Sequence, residues 1–200
     1  MADFPSEDAA IASARRRGAE AGAAPVDAAS GATLRFLAAA IAAKAVVEIG
    51  TGCGVSGLWL LRGMRPDAVL TSVDVEPEHQ RLARLAYTEA GFAANRTRLI
   101  TGRALDVLPR LTDGAYDLVF ADAARQQYPE YLSESLRLLR PGGIVVFSSV
   151  LADERLTDAT RQDAETLAIR EVIRRVRDDE ELIPLLIAHG EGLLAALKRP

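Results

Sequence analysis

The run Val46-Val47-Glu48-Ile49-Gly50-Thr51-Gly52-Cys53-Gly54-Val55-Ser56-Gly57 constrains this chain more than any other feature. A short apolar stretch passes at once into closely spaced glycines and then into helix-forming residues, the pattern of strand, tight turn and helix. Glycine lets the backbone turn sharply and approach a ligand without a side chain in the way. A buried strand of this kind is stable only when further strand–helix pairs lie beside it.

The rest of the sequence supplies them. Residues 45–49 read as the first strand, with a helix through about Met64. Residues 69–73 form a second strand ending at Asp74, and the helix over 78–90 stops at Gly91, a C-terminal cap. Residues 98–101 make a short third strand, followed by a brief helix up to Leu111. Residues 116–121 make the fourth strand, ending at Asp122, with a helix over 128–140. Pro141-Gly142-Gly143 is a turn launching a fifth strand at 144–147. Ahead of these units, residues 31–43 read as a helix with Leu34, Leu37, Ala38 and Ile41 on one side. After them comes a long helix, 156–177, with Ile169, Val172, Ile173 and Val176 on its inner face, and the acidic residues 178–181 solvate the turn beyond. Two apolar runs, 182–188 and 193–198, flank His189-Gly190-Glu191-Gly192, a hairpin signature.

Alternating strands and helices imply parallel pairing with right-handed crossovers. The expectation is an α/β protein: a Rossmann-like, doubly wound, seven-stranded mixed sheet with a C-terminal antiparallel hairpin. Residues 1–24 read as a loosely attached N-terminal helical arm and 25–200 as a single domain. The run Arg15-Arg16-Arg17 reads as a solvated face, with a substrate or dimer contact from a mobile lid as the sharper alternative.

Composition narrows the function. A net charge of −4 argues against a generally basic nucleic-acid surface. Cys53 is the single cysteine, so no internal disulfide can form. The start MADFPSEDAA is no secretory signal, and no apolar stretch approaches the roughly 18 residues of a membrane span. A cytoplasmic protein with no membrane association is expected. His79 and His189 lack metal-ligand partners at useful spacing, Cys53 reads as a packed thiol, and Trp59, at helix spacing from Val55, as core.

In open α/β sheets, ligands bind at the carboxyl ends of the strands. Gly52-x-Gly54-x-x-Gly57 satisfies the dinucleotide fingerprint, and Asp74 can accept two hydrogen bonds from a ribose diol. An NAD-dependent oxidoreductase is therefore one reading. Glu48 points elsewhere, because a nicotinamide-binding strand is usually apolar there, whereas a carboxylate can receive a charged amino group. Its alternative role is to cap the amides of the loop.

Several segments together carry a resemblance: VVEIGTGCGVSGLWL (46–60), LTSVDVEPE (70–78), TGRALDVLPRL (101–111), YDLVFADAA (116–124), YLSESLRLLRPGGIVVFSSVL (131–151) and LIPLLIAHGEGLLAALKR (182–199). Over residues 25–199 the chain resembles the class I S-adenosylmethionine-dependent O-methyltransferases, the family of catechol and caffeoyl-coenzyme-A O-methyltransferases. The resemblance implies S-adenosylmethionine as cofactor, a small-molecule acceptor and a homodimer. It places Glu48 on the methionine amine, and Gly50, Thr51, Gly52 and Ser56 around the methionine end. Asp74 would hold the ribose, Val75 the adenine face, and Gly102, Arg103 and Ala104 the adenine edge. Val26 would close over the cofactor, and Asp122 would stand between cofactor and acceptor.

One part of the pattern is broken. The family uses a divalent cation, usually magnesium, held by one ligand after the fourth strand and an Asp-Asn pair ending the fifth. Asp122 keeps the first ligand, but the pair falls on Ser148-Ser149. Hard cations prefer carboxylate oxygens, so no metal site is expected. Arg125 stands where relatives often place a catalytic lysine, Ala124 replaces a second carboxylate, and Asp153 is a loop acid that could substitute. Arginine stays protonated, so it can orient an acceptor but not act as base. Asp122 and Arg125 are the expected catalytic pair for O-methylation of a small hydroxylated acceptor. A non-catalytic S-adenosylmethionine-binding protein is the alternative that the serine pair favours, and the acidic balance disfavours a transfer-RNA acceptor.

Overall fold

A computed structural model describes residues 5–151 and 160–200. Its seven strands form one sheet in the order β3 (Thr97–Thr101), β2 (Val69–Asp74), β1 (Ala45–Ile49), β4 (Tyr116–Ala121), β5 (Leu139–Phe147), β7 (Leu193–Lys198), β6 (Leu182–Ile187), mixed and closed at one end by an antiparallel hairpin, as the sequence predicts. The chain divides into two compact units, one up to Ala104 and the other from Leu105.

The first unit contains α1 (Ala9–Glu20), α2 (Ala28–Ala40), β1 (Ala45–Ile49), α3 (Val55–Gly63), β2 (Val69–Asp74), α4 (Pro77–Glu89) and β3 (Thr97–Thr101). β1 and β2 pair in parallel from Ala45↔Val69 to Ile49↔Val73, and β3 follows β2 in the same sense. Val46, Val47 and Ile49 are all fully buried, which is why β1 reads as a continuous apolar run. α2 starts three residues before the expected position. The Asp27 carboxylate accepts from the amides of Ala29 and Ser30 and caps the helix there. α1 is helical as expected, but it is not loosely attached: Ile11 and Ala14 are buried, and the helix packs on α3 and α4.

Ala104–Val107 forms the short helix α5. The second unit continues with β4 (Tyr116–Ala121), α6 (Tyr128–Leu138), β5 (Leu139–Phe147), α7 (Ala164–Asp178), β6 (Leu182–Ile187) and β7 (Leu193–Lys198). Two expected boundaries are corrected. β5 begins at Leu139, so Pro141-Gly142-Gly143 lies within the strand instead of before it. The extra residues are taken up by an irregularity between the Tyr116↔Leu139 and Leu118↔Ile144 pairs, where Arg140 Nε donates to Asp117 at 2.6 Å. α7 begins at Ala164, capped by the Asp163 carboxylate on the Thr166 amide, and residues 160–163 are not helical. The portion of the expected helix over 156–159, and the loop acid at 153, lie outside the described residues. Ile169, Val172 and Val176 form the buried face, as their spacing predicts.

Candidate active site

The predicted site residues fall into two groups, one in each unit. In the first unit, Glu48 near the end of β1 is fully buried. A carboxylate so placed needs hydrogen-bond partners. Ser56, in the first turn of α3, donates to one oxygen at 2.7 Å, and Ser72 of β2 donates to the other at 2.5 Å. The Thr51 and Ser72 hydroxyls lie 2.6 Å apart, and Gln80 Nε2 of α4 donates to Thr51 at 2.9 Å and to the Ile100 carbonyl at 3.1 Å. This network ties β1, its glycine loop, β2, β3 and α4 together around one carboxylate.

Asp74, at the tip of β2, is bound to the same loop. One oxygen accepts from the Gly52 amide at 2.9 Å and the other from the Glu76 amide at 2.9 Å, with His79 Nδ1 3.5 Å away. Val75 beside it is more than half exposed, an apolar surface free to meet a flat ring. Gly50 donates to the Val73 carbonyl and Gly102 to the Asp74 carbonyl, both at 2.8 Å, bringing the ends of β1 and β3 to β2. Ala104 is buried, whereas Arg103 is exposed. Val26 is buried in the segment leading into α2. Burial pushes the Cys53 thiol up, which suits packing and not nucleophilic attack.

Gly57 serves a purpose that the fingerprint alone does not specify. A Cβ there would lie 2.0 Å from the Tyr87 hydroxyl, so its absence lets α3 and α4 meet. Burial, reinforced by the nearby Glu48 charge, drives the Tyr87 phenol well above its ordinary range.

In the second unit, Asp122 follows β4. Its carboxyl is pushed up to about 6 by burial, against the opposing pull of the Ser148 hydroxyl hydrogen bond and the Arg125 charge. Ser148 and Ser149 lie side by side at the end of β5, their hydroxyls 3.3 Å apart. The Tyr128 hydroxyl donates to the Ser148 carbonyl at 2.9 Å. Ser149 holds a left-handed backbone, φ 56°, uncommon for a residue with a Cβ. Its hydroxyl donates to Glu191 at 2.5 Å, and Arg125 lies 3.8 Å from the same carboxylate. The Val150 and Leu151 amides donate to the Gly192 and Glu191 carbonyls, fastening the hairpin turn to the end of β5.

Sequence reading missed Ser72, Gln80 and Glu191. Ser72 had a signal, a hydroxyl within an otherwise buried parallel strand. Glu191 had none, since an acid between turn glycines reads as solvated.

At the positions where the resemblance implies metal ligands, this chain offers the Asp122 carboxyl and two serine hydroxyls, one of them bonded to Glu191. Among the described residues no group of three or more His, Cys, Asp or Glu side chains is assembled for a metal. That donor set does not fit a hard divalent cation, which wants several carboxylate oxygens free to ligate it.

The sequence pattern of one family spans residues 9–199, and its description is O-methyltransferase. The chain belongs to the O-methyltransferase family. The match excludes the nicotinamide reading left open by the glycine loop. A Mycolicibacterium vanbaalenii protein provisionally named an O-methyltransferase is 54% identical over 193 residues, 96% of this chain and 85% of its own length. The O-methyltransferase TomG of Streptomyces achromogenes, involved in tomaymycin synthesis and solved with S-adenosylmethionine, is 31% identical with a TM-score of 0.90, covering 97% of this chain and 91% of that one. A Bacillus cereus O-methyltransferase solved with S-adenosylhomocysteine is 25% identical with a TM-score of 0.89, covering 96% and 92%.

Proposed function

We propose that this O-methyltransferase takes its methyl group from S-adenosylmethionine and passes it to the hydroxyl of a small acceptor without a divalent metal. The observation that carries the cofactor assignment is Glu48: fully buried, and fixed by two serine hydroxyls. A carboxylate accepts hydrogen bonds at both oxygens, and its negative charge at the end of β1 suits the methionine ammonium. Gly50, Thr51, Gly52 and Ser56 surround that end. Asp74 and Val75 serve the ribose and adenine, with Gly102, Arg103 and Ala104 at its edge and Val26 over it.

Methyl transfer from a sulfonium is an in-line displacement, and the methyl group needs no further activation. The protein has to align the acceptor oxygen and remove its proton. Asp122, whose carboxyl sits at about 6, is suited to take that proton near neutral pH. Arg125 orients the acceptor, and Ser148 holds Asp122 in place.

Isothermal titration with S-adenosylhomocysteine tests the assignment. Glu48→Gln and Asp74→Asn are each expected to weaken binding by about tenfold or more, because each replaces a charge-assisted contact with a neutral one. Unchanged affinity in both variants would end the reading. The serine pair also supports a second one, a cofactor-binding protein that has lost its chemistry. Intact binding with no methylated product from a panel of catechols and phenols would favour it.

Pairing as a homodimer is part of the proposal. β6 is an edge strand exposing Ile183, Leu185 and Leu186, each about half accessible, an apolar edge suited to a second copy. No described helix is long and apolar enough to cross a membrane. A cytoplasmic setting suits a chain whose single thiol is buried.

A further inference from the structure

α1 reaches three of the elements that build the glycine loop's surroundings. Asp8 caps the helix through the amides of Ala10 and Ile11, and its other oxygen pairs with Arg62 of α3 at 2.5 Å. Arg17 pairs with Glu89 of α4 at 2.8 Å. A Cβ built on Gly18 would lie 3.6 Å from the Cys53 Cβ, so the helix rests on the glycine loop at van der Waals distance. Arg15 extends the contact further. Its Nη2 donates to the Val26 carbonyl at 2.8 Å and its Nη1 to the Pro25 carbonyl at 3.4 Å. Glu7 accepts from Nε at 3.0 Å and from Nη2 at 2.5 Å, holding the guanidinium plane while it grips the backbone. A planar fork with five donors can do both at once, and a lysine ammonium cannot reproduce that geometry.

The two gripped carbonyls immediately precede Asp27, the cap of α2. Arg15 therefore fixes the segment that carries Val26, while Gly18, one turn further along α1, rests against Cys53. We propose that α1 is a strap over the cofactor site and that Arg15 is its positioning residue, holding residues 25–26 and the glycine loop in the arrangement that receives S-adenosylmethionine. The inference rests on the cofactor assignment above. Its physical basis is preorganisation: a segment ordered before binding does not have to be immobilised by the ligand, and the gain falls mainly on the dissociation rate.

Calorimetry and stopped-flow dissociation of S-adenosylhomocysteine test the strap in the full chain. Arg15→Ala is expected to weaken binding about tenfold, chiefly through faster release, with little recovery in Arg15→Lys. Val172→Ala, in the core of the second unit, serves as a stability control that lowers Tm without changing affinity. The strap is overturned if Arg15→Ala binds within about twofold of the parent, or if Val172→Ala loses as much affinity at a matched Tm. Failure of the parent to bind S-adenosylhomocysteine overturns the cofactor assignment and the strap together. Loss of binding in Glu48→Gln with full binding in Arg15→Ala overturns the strap alone.

Discussion

In the proposed reaction, Asp122 is the residue on which the chemistry and the pH behaviour both depend. Burial lifts its carboxyl to about 6 from an ordinary value near 3.8. The folded state therefore binds the proton more tightly than the unfolded chain. This group's contribution to stability is fully present below pH 3.8 and is lost as pH rises to about 6, above which the ionised carboxylate weighs against folding. Asp122→Asn removes the charge and keeps the shape. Thermal melts at pH 7.5 are expected to show a gain of at least about 1 kcal/mol, roughly 2–4 °C for a chain of this size. The same variant is expected to lose about a hundredfold or more in methyl transfer, as removal of a general base does. In the parent, kcat/KM for a turned-over phenol or catechol should rise through pH 6 and hold in EDTA. A rate abolished by chelator would restore the metal and remove Asp122 as sole base.

At the scale of elements, two helices meet because one residue lacks a side chain. Gly57 of α3 leaves room for the Tyr87 hydroxyl of α4, which would otherwise sit 2.0 Å from a Cβ. Gly57→Ala is expected to destabilise the protein by about 1–3 kcal/mol in urea unfolding, the usual cost of an overpacked core. Adding Tyr87→Phe should recover part of that loss, since it deletes the clashing oxygen while the ring remains close. Equal stability of Gly57→Ala and the parent would mean that α4 shifts freely, against the packing described. The glycine was legible in the sequence as part of a phosphate-type fingerprint, but its partner was not. Tyr87 lies thirty positions further along the chain, and nothing in local pattern says which helix a given helix will face. β5 shows the same limit. Pro141-Gly142-Gly143 has the chemistry of a turn, and regular pairing lapses across it, but Leu139 before it and Ile144 after it both pair with β4, so it becomes an irregularity within one strand.

For the molecule as a whole, sequence and structure agree on strand order class, strand number and the terminal hairpin, because burial and period-two or period-3.6 patterning are properties of each segment. The proposed pairing through β6 is tested at this scale. Light scattering after size exclusion is expected to give twice the mass of the 200-residue chain, and Leu185→Lys with Leu186→Lys should return the monomer. A monomeric parent would discard the dimer.

What the sequence determined by itself was the succession of elements, the glycine loop with Glu48 before it and Asp74 beyond it, and Ser148-Ser149 where the resemblance implies a metal-ligand pair. Each of these is written in neighbouring residues. Only the tertiary structure decided what those residues touch: Ser72 on Glu48, the Gly52 amide on Asp74, Glu191 on a strained Ser149, and Arg15 on the carbonyls of Pro25 and Val26. Such partners are separated by between 10 and 42 positions. Their meeting follows from how strands register and helices pack, and a directional hydrogen bond exists only once that packing has set its distance and angle.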